Sequence, residues 1–290
     1  MPPRLIINAD DFGLTPGINR AIAELHQTGA LTSATLMATG SAFDDAVAIA
    51  HANPALGVGC HIIFTDGTPA SPPGSIPTLL GPDGRNFRPS LLDFVQALLR
   101  GAIREDDIER EALAQIQKLQ HAGIAITHLD THKHTHLFPA VSRPLLRIAQ
   151  RYSIRAVRNP FEPAWSSRLA PNAYRRRLQF HALSVLGKNR FQSLPQFSSR
   201  HVLTTTGTIG VSATGHLNAE SLHKILLAMP EGTWELVSHP GYNDAALDLV
   251  TTRLRATRDI EREALLQEIP RAIRTVPGLQ LIHYGQIEKL

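Results

Sequence analysis

Two carboxylates stand side by side at the end of an apolar run in "RLIINADDFG", where Asp10 and Asp11 follow a strand-like stretch. Adjacent aspartates repel each other, and covering them strips away their water, so the pair implies a cation or a reacting group nearby. Four histidines, His128, His132, His134 and His136, fall within "HLDTHKHTH", with Asp130 among them. His61 in "LGVGCHIIF" and His239 in "WELVSHPG" add two more imidazoles. Each piece has a plainer reading by itself. A strand-end "DD" is often a helix N-cap with a charged neighbour, a lone histidine on an apolar strand is often a core residue, and a histidine cluster can be a solvated loop. Taken together they favour a divalent cation held by Asp and His. On ligand softness this set suits Zn²⁺, Fe²⁺, Co²⁺ or Mn²⁺ better than Mg²⁺. Three protein ligands leave room for water and substrate. One aspartate then serves as a ligand, and its neighbour is free to accept a proton from water acidified by the metal.

These groups need elements that bring them together. Strand-like runs alternate with helical ones along most of the chain. "RLIINA", "LTSATLMAT", "LGVGCHIIF", "IAITHLD", "IRAVRNP", "WELVSHPG" and "LQLIHYG" read as strands. Helices are predicted at "TPGINRAIAELHQTG", at "SAFDDAVAIAHANP" opened by Ser41, and at "REDDIEREALAQIQKLQHAG", where Ile108, Leu113, Ile116 and Leu119 share a stripe. "VSRPLLRIAQRYS" reads as helical despite Pro144, and further helices are predicted around "ESLHKILLAMP" and "RLRATRDIEREALLQEI". A Pro/Gly-rich loop from Asp66 to Pro89 is too long for a simple connector. The alternation, with no break in composition, predicts an α/β fold: a single domain over residues 1–290, plausibly a parallel barrel. In such a barrel the Asp and His segments all sit where strands give way to loops, which is where ligands gather. Neighbouring strand residues point to opposite faces, so Asp10 and Asp11 can share a site only if the backbone leaves regular strand geometry there, with Gly13 close by to permit it.

The 290 residues are 43% hydrophobic and 19% charged, a globular composition, and no apolar run is long enough to span a bilayer. The N-terminus enters a strand almost at once without a signal-peptide pattern, so a cytoplasmic enzyme is expected. The single cysteine, Cys60, excludes an intramolecular disulfide and a cysteine-based zinc site. A net charge of +4 is mild, and the densest basic run, "YRRRLQ" from Tyr174, reads as a solvated helix face rather than a nucleic-acid site.

The segments "NADDFGLTPGINRAI", "TSATLMATG", "VGCHIIFTDGTP", "THLDTHKHTHLFP" and "SHPGY" resemble the YdjC-like carbohydrate deacetylases, closely over residues 4–160 and more loosely over 230–290. The resemblance implies a distorted (β/α) TIM-like barrel of the glycoside hydrolase/deacetylase type that removes N-acetyl groups from amino sugars with one divalent metal ion. Carried over by position, it makes Asp11, His61 and His132 the metal ligands and Asp10 the general base. His239 becomes the candidate general acid, and Arg158 in "RAVRNP" orients Asp10. Lys133 stands where some members of the family have a histidine. An i, i+4 pair of His132 and His136 is the second choice of ligands. The family is associated with Mg²⁺, whereas the ligand types argue for Zn²⁺. The resemblance also implies a homodimer and an N-acetylated oligosaccharide or glycolipid substrate, the latter with peripheral membrane contact supported weakly by the basic run. Residues 161–229, basic and aromatic, match only vaguely and could carry substrate choice, with Phe161, Trp165 and Tyr174 as candidate sugar platforms.

A glycosidase with paired carboxylates, a metal-dependent phosphoesterase and a non-catalytic carbohydrate- or lipid-binding protein are the alternatives. No "GxSxG" elbow supports a covalent route.

Overall fold

In the computed structural model, which describes residues 2–170 and 187–287, the first strand is buried along nearly its whole length. That strand, β1 (Arg4–Phe12), lies at the centre of a parallel sheet. Its neighbours are β2 (Ser33–Leu36), β3 (Gly57–Ile62), β4 (His128–Thr131) and β5 (Ala156–Val157) on one side, with β7 (Thr233–Ser238) and β6 (Gly207–Ile209) on the other. β8 (Gln280–Leu281) pairs with the first residues of β1. A parallel bridge between Ala156 and Leu203 links the β5 edge toward the segment entering β6, so the sheet curls into a distorted (β/α) barrel.

Helices cover the outside, as parallel crossovers require. Among the described residues they are α1 (Pro16–Gln27), α2 (Phe43–Ala52), α3 (Leu91–Leu99), α4 (Glu105–His121), α5 (Pro139–Arg151), α6 (Ala164–Leu169), α7 (Ala219–Leu227) and α8 (Ala256–Thr275), besides a helical stretch at 187–192 and four-residue turns at Pro195–Ser198 and Ala245–Asp248. Leu5, Ile7 and Ala9 of β1 join the main core beneath the helices. Ile6 packs instead with Ala156, Tyr284 and Ile287 in a separate small cluster, which places the C-terminal segment across the barrel floor. Above that floor the interior turns polar, with Asn8, Thr35, Asp130, Arg158 and Glu235 all fully buried.

The backbone leaves strand geometry at the acidic pair. β1 and β2 are in register at Ala9 and Ala34, then at Phe12 and Leu36, so two residues of β1 oppose one of β2. The bulge centres on Asp11, whose φ of 65° lies in the left-handed region that aspartate tolerates better than most residues. Gly13, with φ 87°, carries the next step of the turn. The departure therefore sits on an aspartate, and the glycine two residues on completes it.

Several local expectations change. α2 begins at Phe43 without a side-chain cap, because Ser41 donates its hydroxyl to the Leu14 carbonyl. α3 forms where the sequence predicts no element, and the Ser90 side chain caps it by accepting the Asp93 N–H. The long loop is clamped to a polar stripe of α4. Glu111 accepts the Ala70 and Ser71 N–H groups at 2.8 and 2.9 Å, and Asp107 accepts both the N–H and the hydroxyl of Thr78. Those acids sit beside the apolar stripe of the same helix, in which Ile108, Ile116 and Leu119 are fully buried. Phe161 serves packing rather than a platform, buried edge-on to Phe191, whereas Trp165 is half-buried and meets Trp234 edge-to-face. Tyr174 and the basic run that starts there lie outside the described residues. Among the described residues no helix is long and apolar enough to cross a membrane.

Candidate metal centre

Because every strand is parallel, the carboxyl ends of β1, β3, β4, β5 and β7 open on one side. Asp10 and Asp11 end β1, His61 lies near the end of β3, His132 and Arg158 follow β4 and β5, and His239 follows β7. Residues up to 229 positions apart in sequence thus converge on one mouth.

Asp11, His61 and His132 form a triangle of ligand atoms. His61 Nε2 and His132 Nδ1 lie 3.7 and 3.4 Å from Asp11 Oδ1, and 3.3 Å from each other. Asp11 Oδ1 is buried and, among the described residues, meets no hydrogen-bond donor in good geometry. A carboxylate oxygen stripped of water and donors, facing two imidazole nitrogens, is the environment of a cation ligand. The donor set fits a divalent metal ion. A second Asp/His group, of Asp10, His61 and Asp130, is close enough to hold an ion. Its charge is already met by Arg158, which lies 2.5 Å from Asp130 and 2.6 Å from Asp10.

Asp130 orients the His61 ring: Nδ1 lies 2.8 Å from Asp130 Oδ1, which leaves Nε2 for the triangle. Burial opposes a charge on His61, but Asp130 and Asp10 outweigh it and push the imidazole up to about 9. The same negative surroundings favour a metal cation at Nε2, which would displace the proton there.

Asp10 sits just behind. Arg158 donates to both its oxygens, at 3.0 and 2.6 Å, while Asn8 and Thr35 add hydrogen bonds to Oδ1 alone. Burial raises the carboxyl, yet Arg158 and His61 prevail and hold it well below the usual carboxylate range. Oδ2 keeps a free lone pair and faces His239 Nε2 at 3.8 Å. His239 is in turn held from behind, where its backbone N–H donates to Glu261 at 2.6 Å.

His134 and His136 stay out of both groups. Lys133 and His134 adopt left-handed φ values of 56° and 52°, which split His132–Leu137 into short 3₁₀ turns and remove the α-helical spacing an i, i+4 pair would need. Burial pushes His134 down to about 3, and it pushes His136 well below its ordinary value too, so both rings are neutral. His136 Nδ1 pairs with the Thr131 hydroxyl at 2.6 Å. Lys133 forms an ion pair with Asp66 of the long loop.

The sequence carried a signal for some supporting residues and none for others. Asp130 lies inside the histidine motif, and Glu235 is a lone acid in the strand "TWELVS". Arg258 and Glu261 look like surface charges of an amphipathic helix, yet both are 1% exposed.

Arg158 is fully buried among Asp10, Asp130 and Glu235. Removing a guanidinium from three buried carboxylates leaves their charge uncompensated. Arg158→Met is expected to cost at least about 3–5 kcal/mol, read as a lowered urea midpoint. An unchanged midpoint would contradict this account of the barrel interior.

A family model described as YdjC-like protein matches residues 4–274. The chain belongs to the YdjC-like family. Among its relatives, a carbohydrate deacetylase of Brevibacillus brevis is 40% identical over 158 residues, covering 54% of this chain and 60% of that protein. A carbohydrate deacetylase of Listeria monocytogenes is 32% identical over 201 residues, 69% of this chain and 77% of that one. The chain thus spans about six-tenths of the length of the first curated relatives it matches. A crystal structure of a proposed cellobiose-phosphate cleavage protein from Enterococcus faecalis V583 superposes with a TM-score of 0.76 at 24% identity, covering 98% of both chains. That likeness supports the barrel fold. In this YdjC-like chain the bulged acidic pair and the histidine motif meet at one site.

Proposed function

We propose that the protein is a metal-dependent N-deacetylase that hydrolyses the acetamide of an amino sugar, carried on an oligosaccharide or glycolipid, to acetate and a free amine. The observation that carries the reading is the division of labour within the bulge. Asp11 faces two imidazoles with an unpaired oxygen, while Asp10 turns to Arg158 and His239. The carbohydrate deacetylases among its relatives support the substrate class.

Asp11, His61 and His132 would hold the ion, which supplies Lewis-acid polarisation of the acetyl carbonyl and makes bound water more acidic. The ligand types, two imidazoles and one carboxylate, support zinc. Magnesium, expected from the family, is the alternative that metal exchange tests.

Asp10 Oδ2 accepts a proton from the attacking water. Arg158 keeps that carboxylate ionised, and its weak proton affinity means that it works only on water already made acidic. His239 Nε2 donates a proton to the departing nitrogen, since an amide anion is too poor a leaving group to be expelled bare. A C–O bond forms and the C–N bond breaks. Glu261 fixes the backbone of His239 so that its ring stays beside Asp10.

A glycosidase needs one carboxyl held protonated by a raised pKa. Burial favours that state for Asp10 and Asp11, but Arg158 and Arg258 respectively override it and hold both below the usual range. Neither carboxyl is therefore held in the protonated form that an acid needs. The test is acetate release from a panel of N-acetylated sugars and glycolipids by the metal-loaded protein. Binding without acetate release would leave a carbohydrate-binding protein instead.

A further inference from the structure

Arg258 is 1% exposed, and among the described residues its guanidinium has one carboxylate partner, the proposed ligand Asp11. Nη2 donates to Asp11 Oδ2 at 2.6 Å, and Nε donates to the Leu254 carbonyl at 3.1 Å. The loop after β7 lies directly on its stem. Gly241 N–H donates to the Arg258 carbonyl at 3.2 Å, and a Cβ on Gly241 would come within 3.2 Å of Arg258 Cδ. The guanidinium is therefore aimed by packing as well as by charge.

The two oxygens of Asp11 are thereby made unequal. Oδ2 carries a charge-assisted hydrogen bond, while Oδ1 has none among the described residues and faces His61 and His132. A carboxylate can ligate through one oxygen or both, and the choice sets how many positions remain for water and substrate. We propose that Arg258 is a positioning residue that restricts Asp11 to ligation through Oδ1 and so preserves the open positions of the metal. This rests on the metal centre described above, but not on the identity of the substrate.

A neutral residue at 258 frees Oδ2 to join the ion. Cobalt reports the change, because Co²⁺ with few ligands absorbs visible light far more strongly than six-coordinate Co²⁺. In Arg258→Met, cobalt is expected to stay bound at one equivalent, since removing a neighbouring positive charge does not disfavour a cation. Its visible band is expected to weaken severalfold and shift. Arg258→Lys, which keeps a donor for Oδ2, is expected to recover most of the band. A fully loaded Arg258→Met with the wild-type spectrum overturns the proposal, as does a wild type that takes up no cobalt.

Should Arg258→Met fail to fold, a crystal structure of the metal-loaded wild type decides the matter. Asp11 bound through Oδ1 with Arg258 still on Oδ2 supports it. Ligation through both oxygens, or an Arg258 turned away, overturns it. None of these readouts measures acetate. A protein inactive on every acetylated sugar sinks the deacetylase reading without touching this one, and an unchanged cobalt band does the reverse.

Discussion

Asp10→Asn is expected to keep its divalent ion and to release acetate about 100- to 10,000-fold more slowly than the wild type, the range associated with a positioned general base. The substitution is nearly isosteric, and the carboxamide oxygen can still accept from Arg158. What disappears is the charge at Oδ2, the one oxygen with a free lone pair beside His239. Metal content measured on the same preparation separates this outcome from loss of the site. Because Asp10 makes no edge of the Asp11–His61–His132 triangle, the stoichiometry should remain that of the wild type. Turnover within about tenfold of the wild type would remove Asp10 from the role of base.

The second large effect separates two ways of reading the histidine motif. His132→Ala is expected to lower metal affinity by more than about 100-fold, because even loss of an outer-shell partner commonly costs 10- to 100-fold. His136→Ala is expected to leave metal stoichiometry unchanged. His132 Nδ1 stands 3.4 Å from Asp11 Oδ1, whereas His136 Nδ1 is engaged by Thr131 and the ring joins neither ligand group among the described residues. Equilibrium dialysis of the two variants with zinc reads the difference. Equal loss in both would restore the i, i+4 pair that the left-handed residues Lys133 and His134 argue against.

How much of this was legible beforehand follows from the range of the interactions involved. β1 announces itself locally, since a parallel strand buried on both faces must be a continuous apolar run, and "RLIINA" is one. The need for a bulge at Asp10–Asp11 was also legible, because two adjacent side chains cannot share a face without one. β6 escaped because "GTI" lies in a Thr- and Gly-rich stretch with little apolar signal, and its strand character comes from pairing with β7. Ser41 looked like a cap, but a distant carbonyl claimed its hydroxyl. Arg258 is the clearest case of a residue hidden from sequence reading. A charged position in an amphipathic helix normally faces solvent, and only its contact with Asp11, 247 residues away in sequence, turns it inward. Phe161 errs in the opposite direction, since a buried aromatic in a variable segment packs rather than stacking on sugar.

A zinc titration of metal-free protein, followed by acetate release, tests the account most directly. Stripped protein should be inactive, activity should rise in proportion to added zinc up to one equivalent per chain, and a chelator should reverse it. Undiminished acetate release from protein shown to hold no divalent ion would contradict the account.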